Sequence, residues 1–228
     1  MNVAIIPARG GSQRIPHKNS KLFLGKPIIA YALEAAQFSG CFDKIIVSTD
    51  DPDIANIARQ YGAEVPFMRP ANIADDHTPT MAVITHCIEY LASQKIYPTY
   101  VCCVYATAVF LRPEDIRQGL DMVHDQSVEF VFSATSFAFP IQRAIALNEN
   151  DRVTMFDESH ALTRSQDLQS AYHDAGQFYW GKTEAFSSQK AIFAPHSRAL
   201  ILPRKRVQDI DTQEDWEFAE ALYSVLHS

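Results

Sequence analysis

Runs of apolar residues alternate with segments of helical periodicity through most of this chain. Continuous apolar runs, typical of strands buried on both faces, lie at residues 3–6, 44–49, 100–105 and 130–134. Apolar positions at helical spacing predict helices over residues 27–38, 52–61, 80–93, 113–124 and 213–226. Strands that alternate with helices pair in parallel through crossovers. The pattern predicts an α/β fold with a mostly parallel sheet and helices on both faces.

Shorter patterns predict further elements and helix ends. Strands are expected at residues 65–68, 177–180 and 198–202, and a helical turn at residues 183–186. Thr78 and Pro79 fit the cap and first position of the helix over residues 80–93. The last helix has two possible caps, Asp211 with Glu214 or Thr212 with Asp215.

Between residues 136 and 174 the periodicity is lost, and aromatic and leucine side chains are scattered among polar ones. Such a stretch cannot bury its apolar side chains by itself, so it is expected to be an active-site excursion and a dimerisation arm. A mobile surface insertion is the alternative.

Composition limits the class of protein. A chain of 228 residues, 47 % hydrophobic, can bury a sizeable core, and a single domain over residues 1–228 is expected. The net charge of −7 argues against a nucleic-acid-binding protein. The four cysteines form neither a metal spacing nor a disulfide framework, and no apolar run is long enough to cross a membrane, so a cytoplasmic protein is expected.

The first 26 residues carry a local excess of positive charge in this acidic chain. No acidic residue precedes Glu34, but five bases do, at Arg9, Arg14, Lys18, Lys21 and Lys26. Gly10 and Gly11 are expected to allow backbone conformations that expose successive amides, so that the loop could hold several phosphates. A solvated basic loop is the alternative. The segment is neither a P-loop nor a dinucleotide fingerprint, because the required glycines are missing.

A second candidate site is the pair Asp209 and Asp211. In an extended segment the two carboxylates project to one face while Ile210 turns into the core. Two carboxylates completed by phosphate oxygens are a common way to hold Mg²⁺, and capping of the last helix would account for one aspartate at most. A second acidic cluster, at residues 75–77, is interpreted as helix entry rather than as a metal site.

These segments carry a family resemblance. Residues 8–19, ARGGSQRIPHKN, resemble the nucleotide loop of the cytidylyltransferases that activate sialic-acid-type sugars, A-R-G-G-S-K-x-I-P-x-K-N. Residues 209–211, DID, resemble the metal-binding motif of that family, and the similarity runs over nearly the whole chain. The resemblance implies a Rossmann-like, three-layer nucleotidyltransferase fold, CTP and a keto-sugar acid as substrates, Mg²⁺ as cofactor and a homodimer.

The resemblance also assigns roles to individual residues. Catalytic roles fall on Arg9, Lys18, Asp209 and Asp211, with the two aspartates as the metal ligands. Nucleotide binding falls on Ala8, Arg9, Gly10, Gly11, Ser12, Gln13, Lys18, Asn19, Arg69 and Thr80. Sugar binding falls on Tyr105, Thr107, Arg143, Arg164, Gln177 and Tyr179, with Arg164 reaching a neighbouring subunit.

Three departures from the family pattern refine the expectation. Gln13 stands where the loop usually has lysine, which removes one positive charge. Residues 105–109, YATAV, and 172–180, YHDAGQFYW, are similar to the branch of the family that acts on pseudaminic acid. The expected reaction is the transfer of CMP from CTP to such a nine-carbon 2-keto sugar acid. A synthetase for ordinary sialic acid and a nucleotide-binding regulator without turnover remain alternatives.

Overall fold

A computed structural model describes residues 1–227 and contains one six-stranded sheet. The order of its strands is β10, β6, β9, β5, β1, β4. Their bounds are β1 Asn2–Pro7, β4 Lys44–Ser48, β5 Tyr100–Val104, β6 Phe130–Ser136, β9 Tyr172–Lys182 and β10 Ser197–Ile201. Strands β1, β4 and β5 are parallel, as are β6 and β10, and β9 runs antiparallel between β5 and β6. The predicted mostly parallel sheet is confirmed.

Helices cover both faces of the sheet. They are α1 Ile28–Ser39, α2 Pro52–Gln60, α3 Thr80–Ser93, α4 Pro113–Val123, α5 Thr183–Ser187 and α6 Gln213–Leu226. Single 3₁₀ turns lie at Ala71–Ile73, Ile141–Arg143, Glu158–His160, Ser165–Asp167 and Arg204–Arg206. Two short hairpins complete the structure, β2 Leu22–Phe23 with β3 Lys26–Pro27, and β7 Ile145–Leu147 with β8 Val153–Met155. No helix among residues 1–227 combines the length and apolarity needed to span a membrane.

Alternating side chains of the central strands divide between two apolar clusters. Cys102 belongs to the cluster under α1, α2 and α4, whereas Cys103 belongs to the cluster under α3 and α5. Successive side chains of a strand point to opposite faces of the sheet, so two adjacent cysteines cannot lie on the same face. All four cysteines are free thiols, and Cys41 is half-buried.

A third apolar cluster joins the two ends of the chain beside the sheet. It contains Ile15, Phe23, Ile28, Val109, Phe110, Ile210, Trp216 and Ala219, all buried. Helix α6 supplies Trp216 and Ala219, and the short β2 hairpin supplies Phe23. This cluster fixes the N-terminal loop against the segment that precedes α6.

Two predicted details of the local structure are wrong. Residues 65–68 form no strand, because Pro66 lacks a backbone donor, and the only ladder contact described there is one bridge between Glu64 and Ile46. Thr78 does not cap α3. Its hydroxyl donates to Asp75 at 2.6 Å, and Pro79 occupies the cap position. At the last helix the Thr212 and Asp215 capping box is formed, as one of the two alternatives predicted.

Gly119 of α4 provides a test of the packing between helix and sheet. A methyl group built there lies 2.7 Å from Trp180 Cδ1 and 2.8 Å from Phe178 Cε2, and both rings are fully buried. We expect Gly119→Ala to lower the free energy of unfolding by about 1–2 kcal/mol, because overpacking outweighs the better helix propensity of alanine. Urea unfolding measures the change.

Gln118→Ala is the matched control, because Gln118 is exposed on the same helix. Its effect should stay within about 0.5 kcal/mol. A Gly119→Ala protein as stable as the wild type would contradict the close packing described here.

Candidate functional site

A cleft opens where the parallel strands β1, β4 and β5 end. The carboxyl ends of parallel strands are the usual place for ligands in open α/β sheets. The lining includes eight residues selected from the sequence, which are Arg9, Ser12, Lys18, Asn19, Arg69, Thr80, Tyr105 and Thr107. The fold therefore brings together residues that lie up to about a hundred positions apart in the chain.

The N-terminal loop and the aspartate pair meet at one side of this cleft. Lys18 Nζ donates to the carbonyl of Ile210 at 2.7 Å and lies 3.2 Å from Asp211 Oδ1. Arg14 Nη2 lies 2.9 Å from the other carboxylate oxygen of Asp211. Ile210 is fully buried between the two aspartates, as the alternation predicted. The basic loop and Asp211 thus form one charged site, whereas Asp209 lines a neighbouring cavity.

Gly10 is required for a different reason from the one expected of the two loop glycines. Neither has a positive φ. A methyl group on Gly10 would lie 2.5 Å from Asp51 Oδ2, so close approach to Asp51 is what requires glycine there. The Gly10 amide donates to Asp50 at 3.0 Å, and the Ser12 amide donates to the Gly10 carbonyl. These amides are already engaged, so the predicted run of exposed amides is wrong for this conformation.

The five bases of the loop also divide between two places. Lys21 bonds to Gln213 at 3.1 Å and lies over the Trp216 ring, and Lys26 pairs with Glu34 at 2.6 Å. Both lie beside the third apolar cluster. The local anion site predicted from all five bases is therefore reduced to Arg9, Arg14 and Lys18.

Asp76 is a site residue that sequence analysis missed. Its carboxylate pairs with Arg9 and accepts a hydrogen bond from the Gln13 amide. Residues 75–77 were interpreted as the entry to a helix, which assigns no partner to Asp76. No pattern in the neighbouring sequence indicates a partner that lies more than sixty positions away along the chain. The Asn19 side chain donates to the Arg9 carbonyl at 2.9 Å and fixes the start of the loop.

Arg69 is a buried base at the floor of the cleft. It is 6 % exposed, and its guanidinium donates to the hydroxyl of Ser48 at 3.0 Å and to the Ser48 carbonyl. Burial lowers its pKa, and the nearby Asp50 partly offsets that effect. Within residues 1–227 no carboxylate lies within ion-pair distance of Arg69. A buried cation with neutral partners favours an anionic ligand.

The Asp209 carboxylate faces an adjoining cavity that it shares with His173, Asp174 and Gln208. Desolvation and the charge of Asp211 raise the pKa of Asp209. Among the described residues no three His, Cys, Asp or Glu side chains are grouped to hold a metal ion by themselves. A cation held by Asp209 and Asp211 would need further oxygen ligands from water or substrate.

Aromatic hydroxyls form the boundary between the cleft and that cavity. The Tyr105 and Tyr179 rings meet edge to face, with centroids 5.6 Å apart, and the Tyr179 hydroxyl donates to Asp174. Burial raises the pKa of Tyr105 to about 12, and burial together with Tyr105 and Asp174 raises the pKa of Tyr179. Both phenols are therefore neutral hydrogen-bonding groups at physiological pH.

Several predicted site residues do not line the cleft. Ala8 is fully buried, and its amide donates to the Ser48 carbonyl. Gln177 is 3 % exposed and donates to the Arg206 carbonyl at 2.6 Å, so it lies beneath the site. Arg143 and Arg164 are exposed in the segment between β6 and β9 and do not line the cleft. The structure does not bring these two bases to the nucleotide loop within one chain.

Three comparisons identify relatives of this chain. A family model described as Cytidylyltransferase matches residues 3–227. The chain is 50 % identical over 226 residues to a pseudaminic acid cytidylyltransferase of Campylobacter jejuni, covering 99 % of this chain and 97 % of that protein. It is 28 % identical over 221 residues to a CMP-N,N'-diacetyllegionaminic acid synthase of Legionella pneumophila, covering 96 % of this chain and 95 % of that one.

The fold has solved neighbours as well. The structure of a CMP:2-keto-3-deoxy-manno-octonic acid synthetase complexed with CTP superimposes with a TM-score of 0.70 at 18 % identity, covering 99 % of both chains. At that identity the likeness concerns the fold. The family model and the C. jejuni relative together show that this chain belongs to the cytidylyltransferase family.

Proposed function

We propose that this chain transfers CMP from CTP to pseudaminic acid, giving the CMP-sugar and pyrophosphate. The observation that carries the proposal is the 50 % identity, over nearly the whole of both chains, to the pseudaminic acid cytidylyltransferase of C. jejuni. A cleft whose bases converge at the carboxyl ends of the central strands provides independent support, because it suits a polyphosphate.

In the proposed reaction the anomeric hydroxyl of the sugar acid attacks the α-phosphorus of CTP. The new bond joins the sugar oxygen to phosphorus, the bond between the α-phosphorus and the bridging oxygen breaks, pyrophosphate leaves, and the hydroxyl proton passes to solvent. Arg9, Lys18 and Arg69 neutralise the phosphates, and Ser12 and Asn19 hold the loop in place. Catalysis consists mainly of positioning and charge neutralisation, because no side chain in the cleft stands out as a general base.

Mg²⁺ is the proposed cofactor, with Asp209 and Asp211 as its protein ligands. The donor atoms fit, since Mg²⁺ is commonly held by one or two carboxylates together with phosphate oxygens and water. The raised pKa of Asp209 next to Asp211 is an electrostatic strain that a cation would relieve. When bound, the ion would supply positive charge at the phosphate oxygens.

A homodimer is proposed to complete the sugar end of the site. The segment between β6 and β9 exposes Phe139, Phe156 and Leu162 by 83 %, 76 % and 98 %. Side chains this apolar are expected to be covered by a second copy of the chain. The same segment carries Arg143 and Arg164, which would then be available to the carboxylate of a sugar bound by the partner chain. Free thiols in all four cysteines agree with a reducing cytoplasm.

One substrate panel tests the proposed reaction. Pyrophosphate release is measured with each of the four nucleoside triphosphates against pseudaminic acid, N-acetylneuraminic acid and a legionaminic acid derivative. We expect CTP with pseudaminic acid to give the highest kcat/KM. A higher value with another sugar acid would reassign the substrate, and CTP binding without turnover of any sugar would indicate a nucleotide-binding regulator.

Asp211→Asn tests the metal assignment. A neutral amide is a poorer Mg²⁺ ligand of similar size, so turnover at saturating Mg²⁺ should fall by about 100-fold or more while the circular dichroism spectrum stays unchanged. Glu214→Gln is the matched control, because Glu214 is exposed in the first turn of α6. Wild-type turnover by the Asp211→Asn protein would remove Asp211 from the metal site.

The raised pKa of Asp209 predicts a change in stability with pH. A carboxyl group whose pKa is higher in the folded protein destabilises it above that pKa, and the effect disappears below the unfolded value of about 3.9. In metal-free buffer Asp209→Asn should therefore raise the free energy of unfolding at pH 7, and the gain should shrink as the pH falls towards 4. Urea unfolding at several pH values measures it.

Asp215→Asn is the control of opposite sign. Hydrogen bonds from Thr212 and Asp211 lower the pKa of Asp215 despite its desolvation. Its ionised form therefore stabilises the fold above the unfolded pKa, so Asp215→Asn should lose stability at pH 7 and recover at low pH. Equal changes of the same sign for both substitutions would refute the destabilisation inferred for ionised Asp209.

A further inference from the structure

The N-terminal loop lies between the cleft and a second cavity, which we call the loop cavity. Four residues line the loop cavity but not the cleft, namely Gln13, Arg14, His77 and Asp211. Four others line both spaces, namely Arg9, Ser12, Lys18 and Asp76. The two spaces therefore adjoin along the loop, and a long ligand can extend from the cleft into the loop cavity.

The two spaces suit different parts of a nucleotide. Beside its bases the cleft has apolar and aromatic walls, among them Val83 and Tyr105. Within residues 1–227 no apolar side chain lines the loop cavity, whose charged lining consists of the bases Arg9, Arg14 and Lys18 with two carboxylates and a histidine. Such a lining offers nothing to the face of a base or a sugar, but it offers cationic donors to phosphate oxygens. The loop cavity therefore suits the end of a triphosphate that lies farthest from the nucleoside.

Arg14 is the arginine that faces the loop cavity alone. Its Nη2 atom lies 2.9 Å from Asp211 Oδ2, while Lys18 Nζ lies 3.2 Å from the other carboxylate oxygen. The Arg14 side chain is 66 % exposed, so this ion pair is weak and readily exchanged. A guanidinium also has several N–H donors in a planar fork, and those outside the contact with Asp211 remain available to phosphate oxygens.

We propose that Arg14 binds the β- and γ-phosphates of CTP and, after the transfer, the pyrophosphate that they form. This inference rests on the proposed function, in which the bond between the α-phosphorus and the bridging oxygen breaks. The electron pair of that bond leaves with pyrophosphate, so negative charge grows on the leaving group in the transition state, where a cation in the loop cavity stabilises it. Arg14 thereby replaces the positive charge that the family pattern has at the position of Gln13.

Calorimetric titrations with inorganic pyrophosphate and with CMP test the assignment without turnover. Arg14→Gln removes the charge, so in buffer with Mg²⁺ the Kd for pyrophosphate should rise about tenfold, as for a lost charge-assisted hydrogen bond. CMP lacks the two outer phosphates, so its Kd should stay within about twofold. Arg14→Lys keeps the charge without the planar fork, and its Kd for pyrophosphate should lie between those of the wild type and Arg14→Gln.

Lys21→Gln is the matched control, because it removes the same charge from the same loop. Lys21 bonds to Gln213 and lines neither space. Its Kd for pyrophosphate should stay within about twofold of the wild-type value, with an unchanged circular dichroism spectrum for both variants. An equal rise in Lys21→Gln would mean that the overall charge of the loop acts, and an equal rise for CMP in Arg14→Gln would place Arg14 at the α-phosphate. Either result, or an unchanged Kd for pyrophosphate in Arg14→Gln, would overturn the proposal.

Kinetics separate this inference from the proposed function. With pseudaminic acid at saturation, Arg14→Gln should lower kcat/KM for CTP by about tenfold or more, because this ratio measures the stabilisation of the transition state. An unchanged ratio would overturn the stabilisation of the leaving group. A protein inactive with every sugar acid, whose Kd for pyrophosphate still depends on Arg14, would fail the proposed function and keep the pyrophosphate site. A protein active with pseudaminic acid, in which Arg14→Gln changes neither quantity, would refute the role of Arg14 alone.

Discussion

The site depends on the packing of Ile15 and Ile210 into one apolar cluster. These residues lie almost two hundred positions apart, and both are buried with Phe23 and Trp216. Burying a side chain of this size stabilises a fold by about 1.5–3 kcal/mol. Each isoleucine is flanked by site residues, Arg14 on one side of the contact and Asp209 and Asp211 on the other. Apolar packing therefore sets the position of charged groups that would not hold one another in water.

The charges of the site are balanced internally. Arg9 pairs with Asp76, and Arg14 and Lys18 pair with Asp211, all at least partly exposed to solvent. Partly exposed ion pairs are worth about 0–1 kcal/mol each, so a triphosphate with its cation can replace them at little cost. Arg69 differs, because its charge is buried against neutral oxygens. The chain can therefore be acidic overall and still contain a positively charged site for an anionic ligand. The carboxylates of Asp76 and Asp211, which pair with the bases of that site, can be displaced by the ligand.

Strand β9 links the sheet to the substrate end of the cleft. It runs antiparallel between two parallel sets of strands, and its irregularity near Gly176 brings Asp174 within reach of Tyr179. Ser133 satisfies the two amides freed there, those of Gln177 and Phe178, each at 3.2 Å. The distortion is therefore supported by hydrogen bonds, as expected where a sheet directs a side chain to a particular place.

The sequence by itself determined the elements and the residues of the loop. The bounds of the helices at Thr80–Ser93 and Gln213–Leu226 follow from apolar periodicity, and eight of the selected residues line the cleft, because motif and pattern are local properties. At residues 65–68 the apolar pattern favours a strand but Pro66 lacks a backbone donor, and the predicted strand was wrong.

Only the tertiary structure decided the partners of Asp76 and Asp174, the close approach that requires Gly10, and the separation of Lys21 and Lys26 from the site. Each of these depends on side chains brought together from distant segments, and a distance across the fold has no counterpart in the order of residues along the chain.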